Sequence, residues 1–155
     1  DVERSRGLGD VYKRQDSFCV DRHRESFLEL IEKYIDIVFC NESEVLSLFQ
    51  ENDLQRCQES ISSICELVII TLGSKGSLVV NKGKSEEIKP KLLGKIIDTT
   101  GAGDLYAGGF IHGLINNYSL KKCGEIGSIC AGHIITQLGS RSNINLQKLL
   151  RTHLI

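Results

Sequence analysis

Short runs of β-branched and apolar residues alternate with longer amphipathic stretches along this chain, and that alternation restricts its fold more than any other feature. "DIVFC" (36–40) and "LVIITLG" (67–73) are too short for buried helices and too rich in Ile and Val to be loops. Between them lie helical patterns. In "RESFLELIEKYI" (24–35), Phe27, Leu28, Ile31, Tyr34 and Ile35 share one face. "NESEVLSLFQ" carries its acids where a helix dipole favours them. Leu54, Cys57, Ile61, Ile64 and Cys65 recur at helical spacing. "SLVVN" and "KSEEIKP" flank "KG" and read as a hairpin, and "KIIDTT" reads as a further strand end. Helices are expected over 102–116 and over 119–138, the latter opening at Ser119 as an N-cap, and "LQKLLRTHL" closes the pattern. The expected class is α/β, with a mostly parallel sheet flanked by helices and one β-hairpin. Ligands in such folds sit beyond the carboxyl ends of strands, where Asn41, Thr71 and Asp98 are expected.

The remaining composition excludes several classes. A net charge of −1 offers no electrostatic reason for a nucleic-acid or membrane-surface partner. No apolar run is long enough to span a bilayer. Of the six cysteines, none forms C-x-x-C, and Cys57, Cys65, Cys123 and Cys130 fall on apolar helical faces. They read as small buried hydrophobes in a reducing, cytoplasmic setting. "DVERSRGLGDVYKRQ" (1–15) lacks periodicity and resembles adapter DNA read as protein, so the native portion is expected from Asp16 to Ile155.

The chemistry concentrates in "IIDTTGAGDLYAGGF" (96–110). A helix N-terminus presents unpaired N–H groups and a partial positive charge, which makes it an anion site. Gly101, Ala102 and Gly103 are small enough for a phosphoryl group to approach the backbone there. An acid beside such a site opposes simple phosphate binding, but it suits proton abstraction from an attacking hydroxyl, the role Asp104 would take. Two other readings remain. A plain glycine turn is one. A dinucleotide-binding turn is the other, although the spacing is G-x-G-x-x-x-x-G and the acid about 20 residues on, Glu125, falls inside a helical pattern.

With these residues in view, the chain resembles the ribokinase, or PfkB, family of carbohydrate and nucleoside kinases. "DTTGAGDLYAGGF" is similar to that family's C-terminal signature, "FCNESE" to its N-x-x-E, and "VIITLGSKGSLVV" to its nucleotide-contacting strand and hairpin. The resemblance runs from about Asp16 to Leu150. It implies a ribokinase-like fold and a phosphotransferase that uses ATP and magnesium. Asp104 would be the base, and Gly101, Ala102 and Gly103 the anion hole. Asn41 and Glu44 would hold the magnesium-bound water and phosphate network. Thr71, Gly73 and Gly76 would follow the triphosphate and ribose, and Gly127 and Ala131 would wall the adenine. Asp98, Thr100 and Gly139 match the positions at which family members often bind potassium. The partner implied is a small sugar or nucleoside. Within the family, "DSFCVDRHRESFLELIEKYIDIVFCNESE" and "CGEIGSICAGHIITQLGSR" look most like the adenosine-kinase-like branch. Family members are longer, and the half that contacts the sugar is absent here, so the resemblance implies a C-terminal half that is inactive alone. A catalytically silent, nucleotide-binding relative is the alternative, and oligomeric state is not legible.

Overall fold

The structure, a computed structural model, describes residues 19–153; the expected foreign segment 1–15 lies outside them. The described chain divides into two compact units, one running to Val68 and including Val80–Lys84, the other holding Ile69–Val79 and Ser85 onward. In the first unit, helix α1 (19–34) precedes strand β1 (Ile37–Asn41), helix α2 (Glu42–Phe49) and helix α3 (Leu54–Ile64). Each boundary has a local cause. Asn41 ends β1 and caps α2, and the side chain of Asp53 caps α3 by accepting from Gln55 N at 2.9 Å. Val45, Leu48, Cys57 and Ile61 are the residues that α2 and α3 bury. On α1 only Ile31 of the expected face is buried, while Tyr34 stays 75% exposed.

Strand β2 (Leu67–Thr71), a 3-10 turn at Gly73–Lys75, β3 (Ser77–Asn81) and β4 (Lys84–Ile88) follow, and the sheet order is β1-β2-β3-β4. Its directions follow from the hydrogen bonds. Leu67 N donates to Asp36 O at 3.3 Å, which joins the start of β2 to the start of β1 in a parallel pair. Leu72 N to Gly76 O (2.8 Å) and Lys82 N to Glu66 O (3.0 Å) join the two ends of β2 and β3 in antiparallel sense. At the β3–β4 turn, Lys82 (φ 48°) and Gly83 (φ 76°) both take left-handed conformations, the geometry that matches strand twist in a two-residue hairpin. The α/β class with its hairpin is therefore present, and among the described strands the parallel part is β1–β2.

In the second unit α4 (Ala102–Ile115), α5 (Leu120–Ile134) and α6 (Leu146–His153) follow the hairpin. Ser119 caps α5 through Lys122 N, as its sequence position suggests. Ile126, Ile129, Cys130 and Leu150 form a buried cluster against which Leu93, Leu105 and Leu149 pack. Glycines let α4 approach α5 closely: a methyl on Gly109 would meet Cys130 Sγ at 3.0 Å, and one on Gly113 would meet Cys123 Sγ at 2.8 Å. The mid-helix Gly108–Gly109 pair suggests close packing on the sheet. The structure corrects this: Gly109 packs on α5, and Gly108 is exposed with nothing within 4 Å of an added methyl.

One expected strand is missing. Residues 95–98 form no strand. A strand needs a ladder partner. Here Ile97 N and Asp98 N turn instead to Ile135 O, just past α5, at 2.8 and 3.3 Å. Ile96 and Ile97 are left 52% and 57% exposed. The four cysteines expected inside, Cys57, Cys65, Cys123 and Cys130, are buried free thiols. Burial pushes Cys130 up to about 11. No helix among the described residues is long and apolar enough to cross a membrane.

Candidate active site

The loop from Asp98 to Asp104 is held from both ends. Asp98 Oδ1 accepts from Thr100 N at 2.9 Å and from Thr100 Oγ1 at 2.7 Å, while Asp98 Oδ2 accepts from Gly139 N at 2.9 Å. These donors favour the ionised form, with the Thr100 hydroxyl first, and hold the carboxyl below its ordinary value. The structure thus brings together Asp98, Thr100 and Gly139, the first and last of which lie 41 positions apart in the chain.

Gly101 follows at φ 78°, a left-handed conformation that costs any residue with a Cβ. A methyl there would also lie 2.5 Å from Ser140 Cβ and 3.0 Å from its Cα. Gly101 is therefore demanded by the fold. Gly103 is different. Its φ is outside the left-handed range and nothing lies within 4 Å of an added methyl, yet it stands in the first turn of α4, where glycine is a poor helix former. The protein itself gives no reason for the missing side chain, and a ligand approaching the backbone would.

The backbone donors divide by direction. Ala102 N donates inward to Thr99 O at 3.2 Å, which removes it from the expected three-amide cradle. No hydrogen bond engages the Gly101 and Gly103 amides within the described residues. Together with the likewise unengaged Asp104 amide, they leave three unpaired donors at the positive end of a fourteen-residue helix, the arrangement that favours an anion. Asp104, the only acid in that first turn, is exposed beside them.

The nucleotide candidates fall into two groups. Gly76 takes φ 99° and lets Ile88 O approach to within 2.1 Å of where a methyl would be, so its size is required by the turn. Gly73, at φ 59°, has open space beside it, and Thr71 ends β2 half-buried. Gly127 is buried beneath Tyr106, whose carbonyl oxygen would lie 2.8 Å from an added methyl. It faces a packed helix, not the open wall expected of it. Ala131, half-exposed, keeps that possibility.

In the other unit, Asn41 and Glu44 form a capping box: Asn41 Oδ1 accepts from Glu44 N at 2.9 Å, and Glu44 Oε2 accepts from Asn41 N at 2.8 Å. This is the structural role a strand-to-helix turn needs. It leaves Glu44 Oε1 and the Asn41 side-chain amide nitrogen as the atoms of that pair able to meet a ligand. No group of three acidic, His or Cys side chains able to hold a metal exists among the described residues.

Sequence reasoning missed two features. Ser140 backs Gly101, and Ser77 bonds the hydroxyl of Tyr106 at 2.6 Å. Both serines lie in stretches that resemble the family, but their partners are 29 and 39 positions away, and local spacing does not show the pairing.

The profile of the pfkB family carbohydrate kinases matches residues 10–147. The chain belongs to that family. A nucleoside kinase of Methanocaldococcus jannaschii is 35% identical over 127 residues, 78% of this chain and 39% of that protein. A ribokinase of Haemophilus influenzae is 37% identical over 71% of this chain and 38% of its own length. Among solved structures, adenosine kinase from Sinorhizobium meliloti superposes with a TM-score of 0.86 at 40% identity, over 88% of this chain and 42% of that one. The chain thus spans about two-fifths of the length of the relatives it matches. The match places its architecture among ribokinase-like folds.

Proposed function

We propose that this chain supplies the ATP-handling and proton-abstracting part of a kinase that phosphorylates a hydroxyl of a sugar or nucleoside. The observation that supports it most is Gly103, a glycine that the fold does not require, between an unpaired helix N-terminus and an exposed carboxylate. Asp104 takes the proton of the acceptor hydroxyl as it attacks. The Gly101 and Gly103 amides meet the charge spread over the transferring phosphoryl group. Thr71 and Gly73 lie along the nucleotide, and Ala131 beside its base. Magnesium bound with ATP would neutralise phosphate charge, and Glu44, with Asn41, is the pair that the N-x-x-E resemblance offers to its water shell. The Asp98–Thr100–Gly139 cluster stands where the family resemblance puts a potassium ion, whose field would firm the loop.

Acceptor choice belongs to residues beyond this chain, which we place as residues 16–155 of a longer cytoplasmic protein. The 40% identity to an adenosine kinase, the 37% to a ribokinase and the 35% to a nucleoside kinase leave the acceptor as a sugar or nucleoside hydroxyl.

The deciding experiment measures phosphoryl transfer from ATP to adenosine, other nucleosides, ribose and fructose by the longer protein. Asp104→Asn should leave ATP affinity nearly intact and cut turnover by about 10² to 10⁴. Unchanged turnover would refute its role as base, and transfer to no acceptor would point to the catalytically silent reading.

A further inference from the structure

Tyr106 stands two residues after Asp104 on α4 and is only 4% exposed. Its ring lies in a slot left by two glycines of α5. A methyl on Gly127 would come within 3.0 Å of ring atoms Cδ1 and Cε1, and one on Gly124 within 3.3 Å of the hydroxyl. The ring also stacks on Phe110, one helical turn along, with centroids 6.4 Å apart. A phenylalanine would fill that slot equally well. The hydroxyl is therefore the part that needs a reason.

That hydroxyl meets Ser77 Oγ at 2.6 Å, with both residues buried. Ser77 is the first residue of β3 and directly follows Gly76. The turn before it is tight: Leu72 N donates to Gly76 O at 2.8 Å, and Gly76 is pressed against Ile88 O. Any change in the position of Ser77 is passed straight to the residues proposed to follow the triphosphate. On the other side, a movement of Tyr106 along or around α4 carries Asp104 and the Gly103 amide with it. No buried side-chain polar atom is left unpaired among the described residues, so removing one hydroxyl here strands the other in an apolar setting. Burial pushes the Tyr106 hydroxyl up to about 12, with the Ser77 bond acting in the opposite sense, so it stays neutral at ordinary pH and works as a fixed hydrogen-bonding group.

We propose that Tyr106 and Ser77 are a positioning pair that sets the α4 base and anion cradle at a fixed distance from the 72–76 nucleotide turn. The proposal deepens the kinase reading and rests on it. Neither residue touches substrate. Their bond fixes where γ-phosphoryl and base meet, and misplacement by about 1 Å can cost up to 10² in rate. The predicted signature is a loss in kcat with little change in KM for either substrate, since each half of the site keeps its own contacts.

The test is a double-substitution cycle in the longer protein, with Tyr106→Phe, Ser77→Ala and the two combined. Each single change should lower kcat about 10-fold, and the combined one by about the same, because both remove one bond. KM for ATP should move less than about threefold. Melting temperature is read alongside. A fall in melting temperature with unchanged kcat at 25 °C would make the pair merely structural and overturn the proposal, as would multiplicative losses in kcat. If Tyr106→Phe melts below the assay temperature, Ser77→Ala alone separates the same outcomes. Phosphoryl transfer that responds to Asp104→Asn but to neither of these changes refutes the pair and leaves the kinase reading standing. Absence of transfer in the unsubstituted protein refutes that reading and the pair with it.

Discussion

Gly101 and Gly103, separated by a single alanine, give opposite predictions when each is replaced by alanine. Gly101→Ala forces a Cβ into a left-handed backbone, at about 1 to 2 kcal/mol. It also drives that Cβ to 2.5 Å from Ser140 Cβ and 3.0 Å from its Cα, so the 139–140 turn must move. Overpacking of this kind costs a further 1 to 3 kcal/mol or so. The sum, roughly 2 to 5 kcal/mol, corresponds to a melting temperature about 4 to 20 °C lower for a domain of this size. Gly103→Ala meets nothing within 4 Å and no left-handed φ. Alanine there should stabilise the helix by about 0.4 to 1 kcal/mol. If Gly103 is small because a phosphoryl group must reach the backbone, the same substitution should cut phosphoryl transfer about 10²-fold, as loss of a single oxyanion donor does. The assays are thermal melting of this chain and transfer from ATP in the longer protein. A stable Gly103→Ala with full activity would refute the cradle. A Gly103→Ala as damaged in stability as Gly101→Ala would refute the reasoning from space.

The Asp98 carboxyl is held below its usual value of 3.8, so its clasp contributes stability that is present above that value and lost as pH falls through the lower folded value. Protection of the Thr100 and Gly139 amides, taken relative to their intrinsic exchange rates, should fall on acidification below about pH 4, and Asp98→Asn should remove that fall. At the other extreme, burial, then the nearby Glu44 carboxylate, lifts Cys40 from 9.0 to about 12. A raised thiol contributes stability fully present below pH 9 and lost as pH rises towards 12, so chemical-denaturation midpoints should fall across that interval and fall less in Cys40→Ala. Replacing exposed Ile96 and Ile97 by threonine should raise this chain's solubility without lowering its stability.

The features legible in the amino-acid sequence are those whose cause lies within a few residues. The cap at Ser119, the hairpin at Lys82–Gly83 and the helix opening after Gly101 each follow from chemistry that neighbours impose on one another, and each is found. The strand expected at 95–98 is absent for the complementary reason. Its β-branched residues show what the segment could do, but a strand exists only where a second backbone answers it, and the backbone available is Ile135 O. Asn41 and Glu44 are legible as a pair but ambiguous in purpose, because N-x-x-E serves a capping box and a phosphate network equally well; the box is what forms here. Gly127 belongs to a small-residue helix face, yet which neighbour a helix turns such a face towards is set by tertiary packing, and here that neighbour is Tyr106. Ser77 and Ser140 are invisible for the same reason, since their partners lie 29 and 39 positions away. Local motifs thus locate where the chemistry would occur, and these long-range contacts decide how well its parts are aligned. That division is why Tyr106→Phe is the more informative substitution: it changes one oxygen atom, inside the signature stretch, whose partner Ser77 lies 29 positions away.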